Sequence, residues 1–585
     1  MKGVLPKTWV ALVLGLASAF NIQAQPGIPS SFTAVSTDIP GMRSAGIAVG
    51  DYDNDGKLDI LICGNTNNSA ADPVTQLWRN LGNNVFTNVN AGLTPISRGG
   101  SVAWGDYDND GFLDIVLAGR TNASPAGSVC EVWRNQGDGT FTKLQVNLLS
   151  LDSLYAAWGD FNNDGRLDIM IKGWTGVENI CEIWQNLGGG NFTKVGASLH
   201  ALSFGAVPSD FDNDGWLDIL MAGYNGNKSV TRFYQNKRNG NFNTLTITNV
   251  SGYEIGTVAC GDYNNDGTID MLGIGTTNGS SSGADCHIWE NPGNGTLNKI
   301  DAGLPGLVFA SARWGDYDND GRLDVLLSGS IDTVRTLSLS EVWRNVGDGT
   351  FTNIHAGFAG VSDSTVAWGD FDNDGKLDLL VAGISGTNLL FNLYRNTTST
   401  ANTAPSAPVG LLSSRTGANG VRLAWDAASD LETPSGGLSY NVRIGTAPGK
   451  CDILSPAANA ATGQRYLAEL GNAQERLFQV MTNLNPGLYY WSVQAVDTAF
   501  AGSPFATEST FIVAPKIMSS RPVNGGNFQL DFQGIAGGSH TLEVSPDLVT
   551  WSLLTNLTAD ATGIFHFTDP GVTNSPARYY RVSHP

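Results

Sequence analysis

One nine-residue phrase recurs seven times in the first two thirds of this chain, and no other feature restricts the fold so tightly. It reads DYDNDGKLD from Asp51, DYDNDGFLD from Asp106, DFNNDGRLD from Asp160 and DFDNDGWLD from Asp210. It returns as DYNNDGTID from Asp262, DYDNDGRLD from Asp316 and DFDNDGKLD from Asp370. Successive copies lie 50 to 55 residues apart. An apolar run follows each copy, such as LDIVLAG (Leu113 to Gly119), and then a phrase of the type LWRN, IWQN or LYRN. The Asn that closes this second phrase is Asn80, Asn135, Asn186, Asn236, Asn291, Asn345 or Asn396, 26 or 29 residues after the first Asp of its unit. A Gly/Asn-rich turn and often a short strand come next, as in GDGTFTKL from Gly137.

Each unit therefore reads as four short strands. In the second unit they are SVAWG, LDIVLAG, EVWRN and TFTKL, with Asp-Gly, Asn-Gly or Gly-Gly at the turns between strands. No segment of this region sustains a 3.6-residue period. Four strands in about 50 residues, repeated, is the pattern of a β-propeller blade. The seventh unit stops at Asn396 without a fourth strand, while Ser31–Val35 (SFTAV) resembles Val85–Val89 (VFTNV). The N-terminal strand is expected to complete the last unit, closing the ring and removing its exposed edge.

The loop pattern D-x-[DN]-x-D-G-x-[LI]-D places oxygen ligands at positions 1, 3, 5 and 9. These are Asp51, Asp53, Asp55 and Asp59; Asp106, Asp108, Asp110 and Asp114; Asp160, Asn162, Asp164 and Asp168; and Asp210, Asp212, Asp214 and Asp218. The last three loops supply Asp262, Asn264, Asp266 and Asp270; Asp316, Asp318, Asp320 and Asp324; and Asp370, Asp372, Asp374 and Asp378. Alternating oxygens in a tight loop suit calcium, a hard cation that takes six to eight oxygen ligands. Gly at position 6 permits the sharp turn. An EF-hand is excluded, because position 12 is Ile62 in the first loop and Leu117 in the second where Glu is required. The loops hold 26 of the 54 acidic residues, and carboxylates packed this closely repel one another without a cation. Up to seven calcium ions are expected. The aromatic at position 2 (Tyr52, Tyr107, Phe161 and their equivalents) and the Trp before Gly-Asp (Trp104, Trp158, Trp314, Trp368) are expected to pack between units. Stacking on sugars is the alternative for the Trp.

The phrase GDYDNDGxLDIxxxG, repeated in this way, resembles the FG-GAP/VCBS repeats of integrin α-subunits and of many secreted bacterial proteins. The resemblance covers about Ser31 to Asn396. It implies a seven-bladed propeller with calcium in the hairpin loops, at the positions named above. No Gly-Ala-Pro follows the second strand, where Leu117-Ala118-Gly119 stands instead. That favours the bacterial branch over integrin-like ligand recognition.

After a Thr/Ala/Pro linker at 397–408 the repeats stop. Val421–Asp426, Leu438–Ile444 and the run from Leu484 to Asp497 alternate as strands. With a Leu-x-Pro-Gly turn before the aromatic strand, this order resembles a fibronectin type III sandwich over 409–514. Alternation points Tyr489, Trp491, Val493 and Ala495 inward. The stretch 446–483 is longer than such a domain needs. Residues 515–585 hold short β-like runs and resemble a small C-terminal β domain of secreted bacterial proteins. The expected fold class is thus all-β: a seven-bladed β-propeller (25–396), a fibronectin type III-like β-sandwich and a small C-terminal β domain.

Lys2, Lys7, the apolar run Thr8 to Phe20 and the small-residue site ending at Ala24 read as a secretory signal peptide, 1–24. No later stretch reaches the ~18 apolar residues of a membrane-spanning helix. Cleavage removes two Lys and no acid, taking the net charge from −21 to −23. Such an acidic chain is not a general nucleic-acid binder. Its six Cys are too few for a disulfide framework at this length, and Cys130, Cys181 and Cys286 occupy one strand position in separate units. The six His are scattered with no HExxH, and Gly279–Gly283 matches G-x-S-x-G in a loop with no following helix. The expected function is a secreted, monomeric, calcium-binding module for binding or adhesion to an extracellular glycan or protein ligand. The alternative is a carbohydrate-active enzyme, a polysaccharide lyase or glycosidase, on the same scaffold. The Asn/Ser/Thr-rich connections between second and third strands, from Asn65, Arg120, Thr276 and Ser330, are expected to form the ligand face.

Overall fold

The computed structural model describes residues 31–584 apart from 68–71, 98, 123–126, 176, 246, 248–249, 418, 524–526 and 571–576. The expected signal peptide lies outside the described residues. Between Phe32 and Asn396 the described residues form seven four-stranded antiparallel sheets, one per repeat. In the second repeat the strands are Ser101–Gly105, Asp114–Arg120, Ser128–Asn135 and Phe141–Lys143. The second strands are the most enclosed, with Asp59–Asn65, Asp270–Thr276 and Asp324–Ser330 buried at every residue. Being covered on both faces, they read as unbroken apolar runs rather than as an alternation.

Phe32–Val35 pairs antiparallel with Asn388–Asn396, placing Phe32 opposite Asn396 and Val35 opposite Leu393. The N-terminal strand thus covers the edge that the seventh repeat would otherwise expose. The first strands of successive sheets lie side by side in a closed circuit, with Arg43–Gly50 between Ser101–Gly105 and Ser362–Gly369.

Two rings of Asn side chains stitch the sheets together. The Asn that closes each third-strand phrase donates to the carbonyl of the loop aromatic in the preceding repeat. Asn135 reaches Tyr52 O at 2.8 Å, Asn186 reaches Tyr107 O at 2.8 Å, and Asn80 reaches Phe371 O at 2.8 Å across the junction of first and last repeats. The remaining four repeats make the same bond. The Asn at loop position 4 bonds in the other direction: Asn54 donates to Gly111 O at 2.9 Å and Asn373 to Gly56 O at 2.8 Å. All seven loops carry this Asn, with φ between 54° and 60°, a left-handed conformation that Asn tolerates better than most residues. The aromatics pack as expected. Tyr52 stacks on Trp104 of the next repeat with centroids 6.3 Å apart, and Tyr107 on Trp158 at 6.2 Å. Trp104, Trp158, Trp314 and Trp368 are all buried, so the sugar-stacking alternative for them falls.

Residues 409–513 form two three-stranded sheets, Val409–Arg415, Val421–Asp426 and Phe478–Met481 against Ser439–Gly445, Gly487–Val496 and Ser509–Val513. Trp425, Tyr440, Tyr489, Trp491, Val493 and Ala495 lie in the shared core. Ser492 and Gln494, on the other face of the same strand, are also buried. The long 446–483 segment folds over this face: Asn441 Nδ2 donates to Pro456 O at 2.7 Å and Gln494 Nε2 to Gly463 O, while Gln494 Nε2 also donates to Ser503 O at 2.8 Å. Residues 516–583 make two further three-stranded sheets around Leu530, Phe532, Leu542 and Phe565. All six Cys are free, as their separate strand positions require.

Candidate functional site

Each Asp loop is wrapped around its own first and last carboxylates. Asp51 accepts from Asp55 N at 3.0 Å through Oδ1 and from Gly56 N at 2.9 Å through Oδ2. Asp59 accepts from Tyr52 N at 3.2 Å and from Asn80 N at 2.7 Å, tying the loop to the third strand. Asp106 and Asp114 repeat the arrangement.

Among the described residues three carboxylates converge in five of the loops, but not the same three in each. Positions 1, 3 and 9 come within 4.8 Å of one another as Asp51, Asp53 and Asp59, as Asp106, Asp108 and Asp114, and as Asp210, Asp212 and Asp218. In the last two loops the group is positions 1, 3 and 5: Asp316, Asp318 and Asp320, and Asp370, Asp372 and Asp374. In the third and fifth loops position 3 is an amide. Asn162 donates to Asp164 at 3.2 Å and Asn264 to Asp266 at 3.1 Å.

The Arg of the third-strand phrase is a partner that sequence reasoning passed over. Arg79 Nε pairs with Asp53 at 2.6 Å and its Nη2 with Asp55 at 3.0 Å. Arg134 and Arg344 do the same in their repeats. Asp55 and Asp110, so paired, lie outside the three-acid groups of their loops, whereas Asp320, paired in the same way, lies inside its own. Their pairing was signalled by the recurrence of Arg two residues after the Asp loop's facing strand enters the motif, in LWRN, VWRN and LYRN.

A cation fits what is left. Asp53, Asp108, Asp318 and Asp372 each retain a buried Oδ1 with no hydrogen-bond donor, which is unfavourable unless a positive group meets it. Burial pushes the Asp106 carboxyl up to about 7, Asp59 to about 8 and Asp114 to about 9, with neighbouring carboxylates adding to the effect. An all-oxygen set of carboxylates matches a hard ion such as calcium.

The loop face is covered by the second sheet domain. Asp51 N donates to Tyr466 O at 2.9 Å, and Asp210 N to Gln474 Oε1 at 2.9 Å. Arg476 Nε lies 3.1 Å from Asp210 Oδ2. Thr498 Oγ1 donates to Asp316 Oδ2 at 2.8 Å, and Thr482 Oγ1 to Asn162 O at 2.7 Å. The approach is close enough to need Gly at loop position 6: a Cβ on Gly165, whose φ is +88°, would sit 2.2 Å from Ile453 O. The 397–408 linker is pinned as well, with Asn402 N donating to Gly375 O at 2.9 Å and Asn402 Nδ2 to Asp497 at 2.6 Å.

Inside the circuit runs a channel of about 1400 Å³, walled by the first strands and floored by residues of the 454–479 segment. It reaches the opposite face at Arg120, Trp174, Phe204 and Arg335. Trp174 and Phe204 are exposed there. Arg335 pairs with Asp363 at 2.9 Å and lies 3.6 Å over the Phe309 ring. The Gly279–Gly283 segment leads through one short 3₁₀ turn, Ser281–Gly283, into the strand Ala284–Glu290, so it lacks the strand–turn–α-helix setting of a nucleophile motif.

The family model for the FG-GAP-like repeat matches residues 51–117, 122–171, 210–273 and 334–381, and the chain carries FG-GAP-like repeats there. No curated protein matches the sequence. Among solved structures, the extracellular domain of the hybrid two-component system BT3049 from B. thetaiotaomicron is 11% identical, with a TM-score of 0.37 over 83% of this chain and 57% of that one. The FN1–FN3 domains of chicken CNTN1 are 13% identical, with a TM-score of 0.15 over 30% of this chain and 60% of that one. The chain thus spans less than two thirds of either.

Proposed function

We propose that this chain is a secreted, calcium-stabilised seven-bladed β-propeller with a fibronectin type III-like domain (409–514) and a small C-terminal β domain (515–585), and that it is a monomeric binding or adhesion module for an extracellular glycan or protein. Seven four-stranded sheets joined by two rings of Asn bonds support the architecture. Calcium, when bound, would be held by the carboxylates at positions 1, 3, 5 and 9 and by Asn162 and Asn264. It would relieve the repulsion among the carboxylates.

One observation carries the functional reading. The loop face is occupied by the second domain, while the channel remains accessible from the face that bears the connections between second and third strands. A rigid scaffold that leaves one concave, partly aromatic face open is a binding architecture. The experiment is a glycan array and an extracellular-protein binding screen on the intact chain, with a lyase and hydrolase assay on the same glycans to test the enzymatic alternative. Each connection from Asn65, Arg120, Thr276 and Ser330 is then replaced by a short Gly/Ser turn. Lost binding with an unchanged melting temperature supports the reading, and full binding with all four replaced refutes it.

A further inference from the structure

The first strands that wall the channel are nearly uniform where they approach its floor. Each ends in a Gly, or Ser209 in the fourth repeat, that pairs with the position-9 Asp. Two residues before that end, five repeats have Ala and the fourth has Val207, but the sixth has Arg313. Four residues before it, six repeats have Gly, Ser or Thr, but the third has Tyr155. The wall is built of small residues, and two large polar groups break the rule. Both line the channel, and Arg313 is exposed to it.

A third group rises from the floor. Glu469, on the segment laid across the loop face, is exposed to the same cavity. Arg313 and Glu469 lie in one another's electrostatic field, and Tyr155 in the field of both. Among the described residues no ion pair within 4.0 Å joins Arg313 to Glu469 or to another acid, and Arg313 Nη1 donates to the backbone carbonyl of Ala312 at 2.9 Å. Beneath them Arg465 Nη2 donates to Glu469 O at 2.9 Å and to Leu470 O at 3.2 Å, fixing the turn that presents Glu469. Arg465 lies in turn in the field of Glu469 and Asp497.

An Arg and a Glu that face a shared cavity without closing on each other leave room for a group between them. Arg313 offers donors only and ionised Glu469 acceptors only, while the Tyr155 hydroxyl serves as either. An anion placed there meets Glu469, and a cation meets Arg313. A neutral group carrying an acceptor and a donor on adjacent atoms satisfies both, and the vicinal hydroxyls of a sugar ring are that group. We infer that the channel floor is a sugar subsite in which Arg313 and Glu469 hold two neighbouring hydroxyls of a neutral terminal sugar, with Tyr155 beside them. The inference rests on the binding reading above and names the ligand class and the residues that would select it.

The test titrates the intact chain by calorimetry with neutral trisaccharides of glucose, mannose, galactose and xylose, and with trigalacturonate as the anionic control. Arg313→Ala and Tyr155→Ser install residues that equivalent positions already carry, so both variants are expected to fold; Glu469→Gln keeps the shape of the side chain. At least one neutral trisaccharide is expected to bind. Arg313→Ala and Glu469→Gln are each expected to weaken it about 10- to 100-fold, the range for a hydrogen bond to a charged group. The melting temperature should stay put. Undiminished binding in the Arg313→Ala, Glu469→Gln double variant overturns the subsite. So does binding of trigalacturonate alone, or of none of the panel. The broader binding reading fails separately, when replacing the four connections costs no binding to any ligand, glycan or protein.

Discussion

The Asn ring offers a quantitative test of closure. Asn135 is 1% exposed and makes three side-chain bonds: Nδ2 to Tyr52 O at 2.8 Å, Nδ2 to Leu113 O at 3.1 Å, and Oδ1 from Gly137 N at 3.0 Å. Asn135→Ala leaves two carbonyls and one N–H without these partners. At about 1–3 kcal/mol for each buried group, discounted because Gly137 is partly accessible, the loss comes to about 3–5 kcal/mol. A cooperative unit the size of residues 31–396 unfolds with an entropy of roughly 0.8 kcal/mol per kelvin, so the melting temperature should drop by about 5 °C. Asn80 makes the same bonds, to Phe371 O at 2.8 Å and Leu58 O at 3.2 Å and from Gly82 N at 2.9 Å, but its bond to Phe371 joins the first repeat to the last. In a closed ring Asn80→Ala must cost as much as Asn135→Ala. In an open array the Phe371 bond would not form, and Asn80→Ala would be distinctly milder. Calorimetry on the two variants in the same buffer decides the matter. A loss at Asn80 below half that at Asn135 would refute the closed circuit.

Three other outcomes are expected. Deleting residues 25–40 should lower the melting temperature far more than shortening a surface turn, because it strips the strand paired with Asn388–Asn396; an unchanged transition would remove that strand's role. Without metal, the carboxyls of Asp59 and Asp114 are raised from 3.8 to about 8 and about 9. A carboxyl raised in the folded state contributes stability that is full below 3.8 and lost as the pH climbs through the raised value. In EDTA the melting temperature should therefore fall between pH 5 and pH 9, while millimolar calcium should add most stability at the high end. A melting temperature in EDTA that rises over this range would contradict the assignment. Arg476→Met removes the partner of buried Asp210 and should cost about 3–5 kcal/mol in metal-free buffer. The check is denaturant unfolding followed by circular dichroism and total Trp fluorescence, and a loss within error of zero would show that the domain interface is not held there.

Much of this protein was legible in its sequence because a repeat states each local rule seven times. The four strands of a unit, the Asp loop, the aromatic that packs on the next repeat and the missing fourth strand after Asn396 all follow from alternation, turn chemistry and spacing, which act over a few residues. The constant Asn at loop position 4 was equally visible, yet its meaning was not: its left-handed backbone is local, but the carbonyl it binds belongs to the next repeat. The same holds for the Arg of the WRN phrase, whose carboxylate partners lie more than twenty residues upstream. What only the tertiary structure decided is which face is left open. Length marks 446–483 as surplus to a sandwich domain but not as the layer that covers the Asp loops, because that depends on contacts such as Arg476 with Asp210 and Thr482 with Asn162 between distant parts of the chain. Arg313 and Tyr155 stand out as exceptions in a column of small residues, but only the closing of the circuit, with Glu469 set across its floor, places them around one cavity. Such an arrangement arises from the packing of separate elements, and no local pattern encodes it.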